Sequence, residues 1–554
     1  MVALTIFLSQ ISSKFRSSAV CLFSRMSTHI SQELQNGSSV SIETRYGPIK
    51  GGRAANGAAA FLEVPYALPP VRFEDPVPLP PTYRYEDKAF IYDTKHAFQP
   101  SNDGQGAATP HVDRVGRGEP SEDPLFVNIV CPSTFTPNAK LPVKAYIHGG
   151  FLQFGSPHGL SNQAQYIAEA RNEVWVTIGY RLSVFGFLAC DEPKVTGNFG
   201  FKDQWLALQW VQENIASFGG DPTNVQLSGL SAGAHSVHQI LHHISRLPPG
   251  QNSPIRSAQL QSNALLTIPK TPTELRSQFI ALCKSLNLDP SSPDILATLR
   301  DRTKVPASAF MHVIETDAVG IENGTYRGCL DGSWLATTPD PMTWQRTGDL
   351  ARNLLAKGLK SIAIGDLKEE WYLYAIAHPI YGPKDIFPNI LRYYPEPIVE
   401  RLVLMYDKYK TIPDSASAEV SARLIGEILS DGQVHLPVRM FMRDFQNAGF
   451  PVFRYEIRWT PEQIRPHGWV THGTDRVFWA LRKPVMSEKD IATAIAWLDA
   501  IDKEYATLEK EGKAMQPITK ALTLSDDQTI SWKDDKRWDS LIKIATVLPG
   551  EGLY

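Results

Sequence analysis

Cysteine is scarce in this chain of 554 residues. The five present, Cys21, Cys131, Cys190, Cys283 and Cys329, are odd in number and widely spaced. None forms a Cys-x-x-Cys pair, which argues against a zinc knuckle or a dense disulfide framework and fits a reducing compartment. An excess of one charge is lacking too. A net charge of −3 provides no basic surface for nucleic acid or an anionic membrane. No apolar run approaches the ~18 residues that a membrane span requires. Internal repeats and low-complexity linkers are absent from 39–550. What is present is a hydrophobic content of 43%, enough to bury a large core.

The first residues have their own character. Acidic residues are missing before Glu33, while Lys14, Arg16, Arg25 and many serines are there. That composition suits a mitochondrial transit segment over 1–32 better than a secretory signal, and Met26 offers an alternative start. The expectation is an N-terminal extension over 1–38 ahead of one large domain over 39–554, with a cytoplasmic location or a mitochondrial alternative.

Along that domain, strands alternate with helices. Ser39–Lys50 reads as a hairpin around Tyr46-Gly47-Pro48, and the run from Phe61 to Pro81 would pass for a linker on its prolines alone. Asp93–Ser121 reads as a polar loop. Leu125–Val130, Val143–Ile147 and Glu173–Ile178 read as strands, Asp203–Phe218 as a helix closed by Gly219-Gly220. Further on, Thr271–Leu299, Ala351–Leu359 and Met486–Lys510 read as helices, Ser361–Ile364 and Pro451–Ile457 as strands, and Ile386–Phe445 as a largely helical excursion. Such alternation argues for an α/β fold, a mostly parallel central sheet covered by helices on both faces.

One stretch organises the rest. Val225 and Leu227 alternate with polar residues as a strand end, and Val237, Ile240, Leu241 and Ile244 recur at helical spacing until Pro248-Pro249-Gly250. Between them lies Gly229-Leu-Ser231-Ala232-Gly233, a Gly-x-Ser-x-Gly. A nucleophile on a sharp strand-to-helix turn takes strained backbone angles, and the glycines let strand and helix pass closely. Helix N–H groups then lie beside Ser231.

A serine hydroxyl needs a base, and the oxyanion needs donors already in place. His148-Gly149-Gly150, after the Val143–Ile147 strand, exposes consecutive backbone N–H groups. Of fourteen histidines, His235, His238, His242 and His243 ride the elbow helix as ordinary helix residues, whereas His467 and His472 follow the last strongly apolar strand. The acid belongs between serine and histidine in chain order, where Asp366, Glu369 and Glu370 are available.

The residues resemble the type-B carboxylesterases, the cholinesterase-like branch of the α/β-hydrolases. Phe61–Ala67 with Arg72-Phe73 is similar to the family's "FxGIPYA…RF", Ser121–Leu125 to "SEDCL", and Gly179–Phe187 to "NYRxxxxGF". Asn198-Phe-Gly200, Asp203-Gln204 and Asn214–Pro222 match the block that runs into the elbow. The resemblance implies an α/β-hydrolase fold with helical insertions, and a nucleophile at Ser231, a base at His472 and an acid at Glu370. It implies oxyanion donors at Gly149, Gly150 and Ala232, with Glu369 a solvated neighbour. No metal or cofactor is implied. The partner is a small-molecule ester, apolar in character.

The departures matter for specificity. Pro124 replaces the cysteine of "SEDCL" and Cys283 stands alone in the later helical loop, so the resemblance implies that both usual disulfides are missing, as in fungal, intracellular members. Leu230 stands where an acidic residue usually precedes the nucleophile, Trp371 where a glycine follows the acid, and Gly179 where an asparagine is usual. The loop Asp93–Ser121 has no tryptophan with which to hold a quaternary ammonium, so a choline ester is not the expected substrate. Two other readings share the sequence: an inactive binding module of the same family, which the intact Ser231, Glu370 and His472 disfavour, and acyl-transfer or lactone chemistry with the same triad.

Overall fold

The computed structural model describes residues 28–103 and 111–552. Cys21 and the greater part of the basic N-terminal stretch lie outside them. The described chain begins with a short helix, α1 (Ile30–Asn36), within the segment expected to be an extension. Its spacing explains the docking: Ile30 and Leu34 share one face and are buried, while the Ile30 N–H donates to Gln163 Oε1 at 3.0 Å.

A twelve-stranded sheet follows. Its strands are β1 (Ser39–Thr44), β2 (Gly47–Arg53), β3 (Ala59–Pro65), β4 (Phe126–Cys131), β5 (Leu141–Ile147), β6 (Val174–Ile178), β7 (Gly220–Leu230), β8 (Ser257–Gln261), β9 (Ser361–Leu367), β10 (Val452–Ile457), β11 (Lys520–Leu524) and β12 (Ile530–Asp534). In space they run 1-2-3-4-6-5-7-8-9-10-11-12. From β6 to β11 every pairing is parallel, and the edges are antiparallel. Among the helices are α2 (Phe199–Asn214), α3 (Ala232–Ser245), α4 (Trp371–Ala377), α5 (Ala418–Ser430), α6 (Leu436–Asn447) and α7 (Glu488–Glu511).

The central strands are buried on both faces, which is why β5 and β6 read as apolar runs. Alternation divides their side chains between two cores: Ala145, Ile147 and Val176 enter one, Tyr146 and Trp175 the other. A third apolar cluster fills the helical excursion, with Ile390, Ile425 and Val434 in it.

Three stretches differ from the sequence reading. The supposed linker starts with β3, a core strand whose residues Ala59–Val64 are all buried. The helix expected over Thr271–Leu299 is two, Arg276–Ser285 and Ile295–Arg300. Asn287 at φ 58° turns the chain out of the first, and Pro290 and Pro293 keep the helix from continuing. Within the expected loop Asp93–Ser121, Lys95–Ala97 pairs with Glu119–Ser121 as a small separate sheet. No helix among the described residues is long and apolar enough to cross a membrane.

The register aligns the strand ends. Ile147 lies opposite Gly229, and Leu230 opposite Gln261. The loops after β5, β7, β9 and β10 therefore leave the same edge of the sheet, the edge where parallel α/β sheets place ligands.

Candidate active site

Ser231 links β7 to α3, as the residue ahead of the helix's first turn, at φ 59° and ψ −124°. That region is nearly forbidden to a residue with a Cβ and costs about 1–3 kcal/mol, so the surroundings must impose it. Two contacts do so. The Ser231 N–H donates to the Gln261 carbonyl at the end of β8, at 2.8 Å. Gly233 runs so close to β5 that a Cβ there would stand 2.1 Å from the Ile147 carbonyl oxygen, and any larger residue would push the turn off the sheet.

The loop after β5 lies against this turn, with Gly149 beside Ser231 and the Leu230 carbonyl. Gly150 takes φ 115°, a glycine conformation, and its carbonyl accepts from Gln153 and Phe154 at 2.9 and 2.8 Å. Its peptide is thereby turned with the carbonyl bound inward. Among the described residues no hydrogen bond uses the N–H of Gly149, Gly150 or Ala232. For Ala232 this follows from its place in the first turn of α3. His148 holds the loop from behind: it stacks on Tyr180 at 4.6 Å, and Tyr180 donates to the His148 carbonyl at 3.0 Å. Burial pushes the His148 imidazole down to about 4, so this ring stays neutral.

Glu370 follows β9 and is 0% exposed. Its Oε1 accepts the Leu367 N–H at 3.0 Å and its Oε2 meets His472 Nδ1 at 2.7 Å. A carboxylate only accepts, so His472 carries its proton on Nδ1 and leaves Nε2 with a lone pair. Nε2 is buried and has no hydrogen-bond partner among the described residues. The turn after His472 packs on the end of β7 ahead of Ser231, since a Cβ at Gly473 would lie 3.4 Å from Leu230.

Residues 38–347 match the Carboxylesterase family. A carboxylic ester hydrolase of Gibberella moniliformis is 30% identical, over 76% of this chain and 78% of that protein. An uncharacterized esterase/lipase of Schizosaccharomyces pombe is 29% identical, over 88% of this chain and 92% of its own length. A solved PNB esterase structure shares the fold at a TM-score of 0.68 and 23% identity, covering 91% of this chain and 99% of that one. The chain belongs to the carboxylesterase family. It is an enzyme that hydrolyses carboxylic esters, built on the α/β-hydrolase fold.

Within this carboxylesterase the other candidates part company. Asp366 is 1% exposed and engaged by His435 Nδ1 at 2.6 Å, Arg439 Nη1 at 2.7 Å and Arg454 Nη1 at 3.4 Å. Burial opposes its ionisation, but Arg439, His435 and Arg454 outweigh it and hold the carboxyl well below the usual range. It is a structural ion cluster. His467 sits in a short turn near the Tyr372 ring, with its own φ at 50°. The elbow-helix histidine His238 accepts the Leu265 N–H at 2.9 Å, and His242 is buried against its ring with no hydrogen-bond partner among the described residues. Glu369 is not the solvated neighbour expected of it: its side chain is 16% exposed, and its Oε2 accepts the Val470 N–H at 2.7 Å. Trp371 packs under the Arg423 guanidinium, 3.5 Å from ring centroid to Cζ, and edge-on to Trp469.

A cavity of about 690 Å³ opens over Ser231 and Ala232. Phe151, Leu152, Leu265 and Leu266 give it apolar wall, and Arg327 and Gln433 give it polar wall. Gln433 belongs to a π-helical turn, Asp431–His435, between α5 and α6. Sequence reading missed that turn, since nothing in Asp431-Gly-Gln-Val-His435 departs from an ordinary helical pattern. The four described cysteines, Cys131, Cys190, Cys283 and Cys329, are free and buried.

Proposed function

We propose that the enzyme hydrolyses an ester with a largely apolar acyl or alcohol group through a covalent acyl-enzyme on Ser231. His472 Nε2 takes the hydroxyl proton as Oγ attacks the ester carbonyl. The N–H groups of Gly149, Gly150 and Ala232 receive the oxyanion. The imidazolium then gives its proton to the departing alkoxide, and the alcohol leaves. In the second half His472 takes a proton from water, hydroxide attacks the acyl carbonyl, and Ser231 is released with its proton restored. Glu370 holds the tautomer and stabilises the imidazolium.

One observation carries this reading: the strained Ser231 at the strand-to-helix turn stands on the same sheet edge as the 2.7 Å Glu370–His472 pair. The apolar preference rests on Phe151, Leu152, Leu265 and Leu266 in the cavity wall. The test is labelling with a fluorophosphonate and peptide mapping by mass spectrometry. The adduct is expected on the Ser231 peptide, and aryl esters of increasing acyl chain length are expected to gain in kcat/KM. An adduct elsewhere overturns the nucleophile, and a preference for the shortest chain in both an acyl and an alkyl ester series overturns the apolar assignment.

A further inference from the structure

The loop that carries His472 has little regular structure of its own. Between β10 and His472 the chain makes only short turns, and His467 within them has a left-handed backbone. An imidazole on such a loop samples many positions unless something fastens it, and a displacement of about 1 Å costs on the order of 10²-fold in rate. The fastening is visible at Val470, two residues before the histidine. The Glu369 N–H donates to the Val470 carbonyl at 3.0 Å, and the Val470 N–H donates back to Glu369 Oε2 at 2.7 Å. The other carboxylate oxygen, Oε1, lies 3.5 Å from Lys368 Nζ, and Lys368 in turn holds Asp526 at 2.7 Å. Backbone and side chain of Glu369 thus hold both the carbonyl and the N–H of Val470.

We propose that Glu369 is a positioning residue for the ester hydrolysis, sewing the His472 loop to the end of β9 so that the adjacent Glu370 meets the imidazole. The geometry is a closed ring. Glu369 and Val470 form one side, Glu370 and His472 the other, and each bond fixes the register that the other needs. Neither glutamate replaces the other. Glu370 touches the base itself, whereas Glu369 acts only through the backbone of Val470. What Val470 needs from Glu369 is an acceptor, not a charge, so an amide oxygen in the same place serves.

The proposal rests on His472 being the base, and the experiment separates the two claims. Steady-state kinetics on p-nitrophenyl esters are measured for E369A, E369Q and H472A, with active sites counted by fluorophosphonate labelling or, for H472A, by protein concentration. H472A is expected to be almost inactive. E369A is expected to lose about 10-fold to 100-fold in kcat with KM changed less than about two-fold, since the loop and not the cavity wall is loosened. E369Q is expected to recover most of that loss, with the acid limb of its pH profile coinciding with that of the native enzyme. If E369A fails to fold, E369D carries the same expectation, because a side chain one methylene shorter does not reach Val470. Full kcat in E369A or E369D beside an inactive H472A overturns the positioning role alone. A loss in E369Q as deep as in E369A, or a displaced acid limb, assigns the effect to charge and overturns it as well. High activity in H472A removes the reading on which the proposal stands.

Discussion

Two imidazole–carboxylate pairs hang from the end of β9, and their surroundings differ. His435 meets Asp366 at 2.6 Å and His472 meets Glu370 at 2.7 Å. Both carboxylates are buried. The difference lies in what else they touch. Asp366 also takes Arg439 and Arg454, and both guanidinium groups continue to Asp535 at 2.7 and 2.8 Å. Its charge is already matched by two guanidinium groups. Glu370 has one backbone N–H and one imidazole, an environment that suits the role proposed for it beside His472. A histidine beside a buried carboxylate is therefore no sufficient sign of a catalytic base. The rest of the carboxylate's environment decides.

The strongest way to break the comparison is to remove each imidazole. H472A is expected to lower kcat by about 10⁴-fold or more, the scale of deleting the base of a serine triad. H435A, measured in the same assay per active site, is expected to retain turnover. Equal losses would erase the distinction between the pairs.

A smaller effect on rate is expected at the loop after β5, the proposed oxyanion site. In G149A the new methyl would stand 2.6 Å from the Leu230 carbonyl oxygen and 3.0 Å from the Ser231 Cβ, so loop and elbow must separate. A loss of about 10²-fold to 10³-fold in kcat is expected, the cost of one misplaced donor. Native kcat in the folded variant would remove Gly149 from the site.

Asp366 sharpens the comparison from the other side. D366N leaves buried arginines with too little negative charge, which costs on the order of 3–5 kcal/mol in such clusters. The expectation is a clearly lower Tm with near-native turnover per labelled site. An unchanged Tm would mean that the cluster contributes little.

The smallest effect is a dependence of stability on pH. Burial lowers His148 to about 4 and His242 to about 3, and burial with His242 and His235 alongside lowers His238 well below its ordinary value of 6.5. Below 6.5 the unfolded chain binds protons at these positions and the folded chain does not. Stability is therefore full above about 6.5 and falls as pH drops toward about 4. Tm measured from about pH 7.5 to about 4.5 should decline through this window, and H242F should flatten the decline. A flat Tm in the native enzyme would contradict the buried, neutral state of these rings.

How much of this the chain declares in advance depends on whether burial and side-chain type agree. Val174–Ile178 is apolar and buried, so β6 is plain to read. In β8, Ser257, Gln259 and Gln261 are equally buried, yet their polarity hides a strand that pins Ser231 through its last carbonyl. The hairpin of β11 and β12 is likewise quiet, since its outer strand is mostly exposed and carries Lys533 and Asp534. At the site, the strand–serine–helix pattern is local and legible. The fastening of the His472 loop is not, because Glu369 and Val470 meet across 101 residues and nothing in either segment names its partner. The choice among Asp366, Glu369 and Glu370 is of the same kind. Only the structure shows that one is neutralised by arginines, one holds a backbone and one faces an imidazole.

The measurement that bears most directly on this assignment is the turnover of E370Q beside D366N, per fluorophosphonate-labelled active site. The amide at 370 keeps the size of the side chain but removes the charge that holds the tautomer of His472 and stabilises its cation. A loss approaching ~10⁴-fold in kcat is predicted for E370Q, with D366N within about two-fold of the native enzyme. Near-native turnover in E370Q, or a comparable loss in D366N, would contradict the assignment of Glu370 as the acid of the triad.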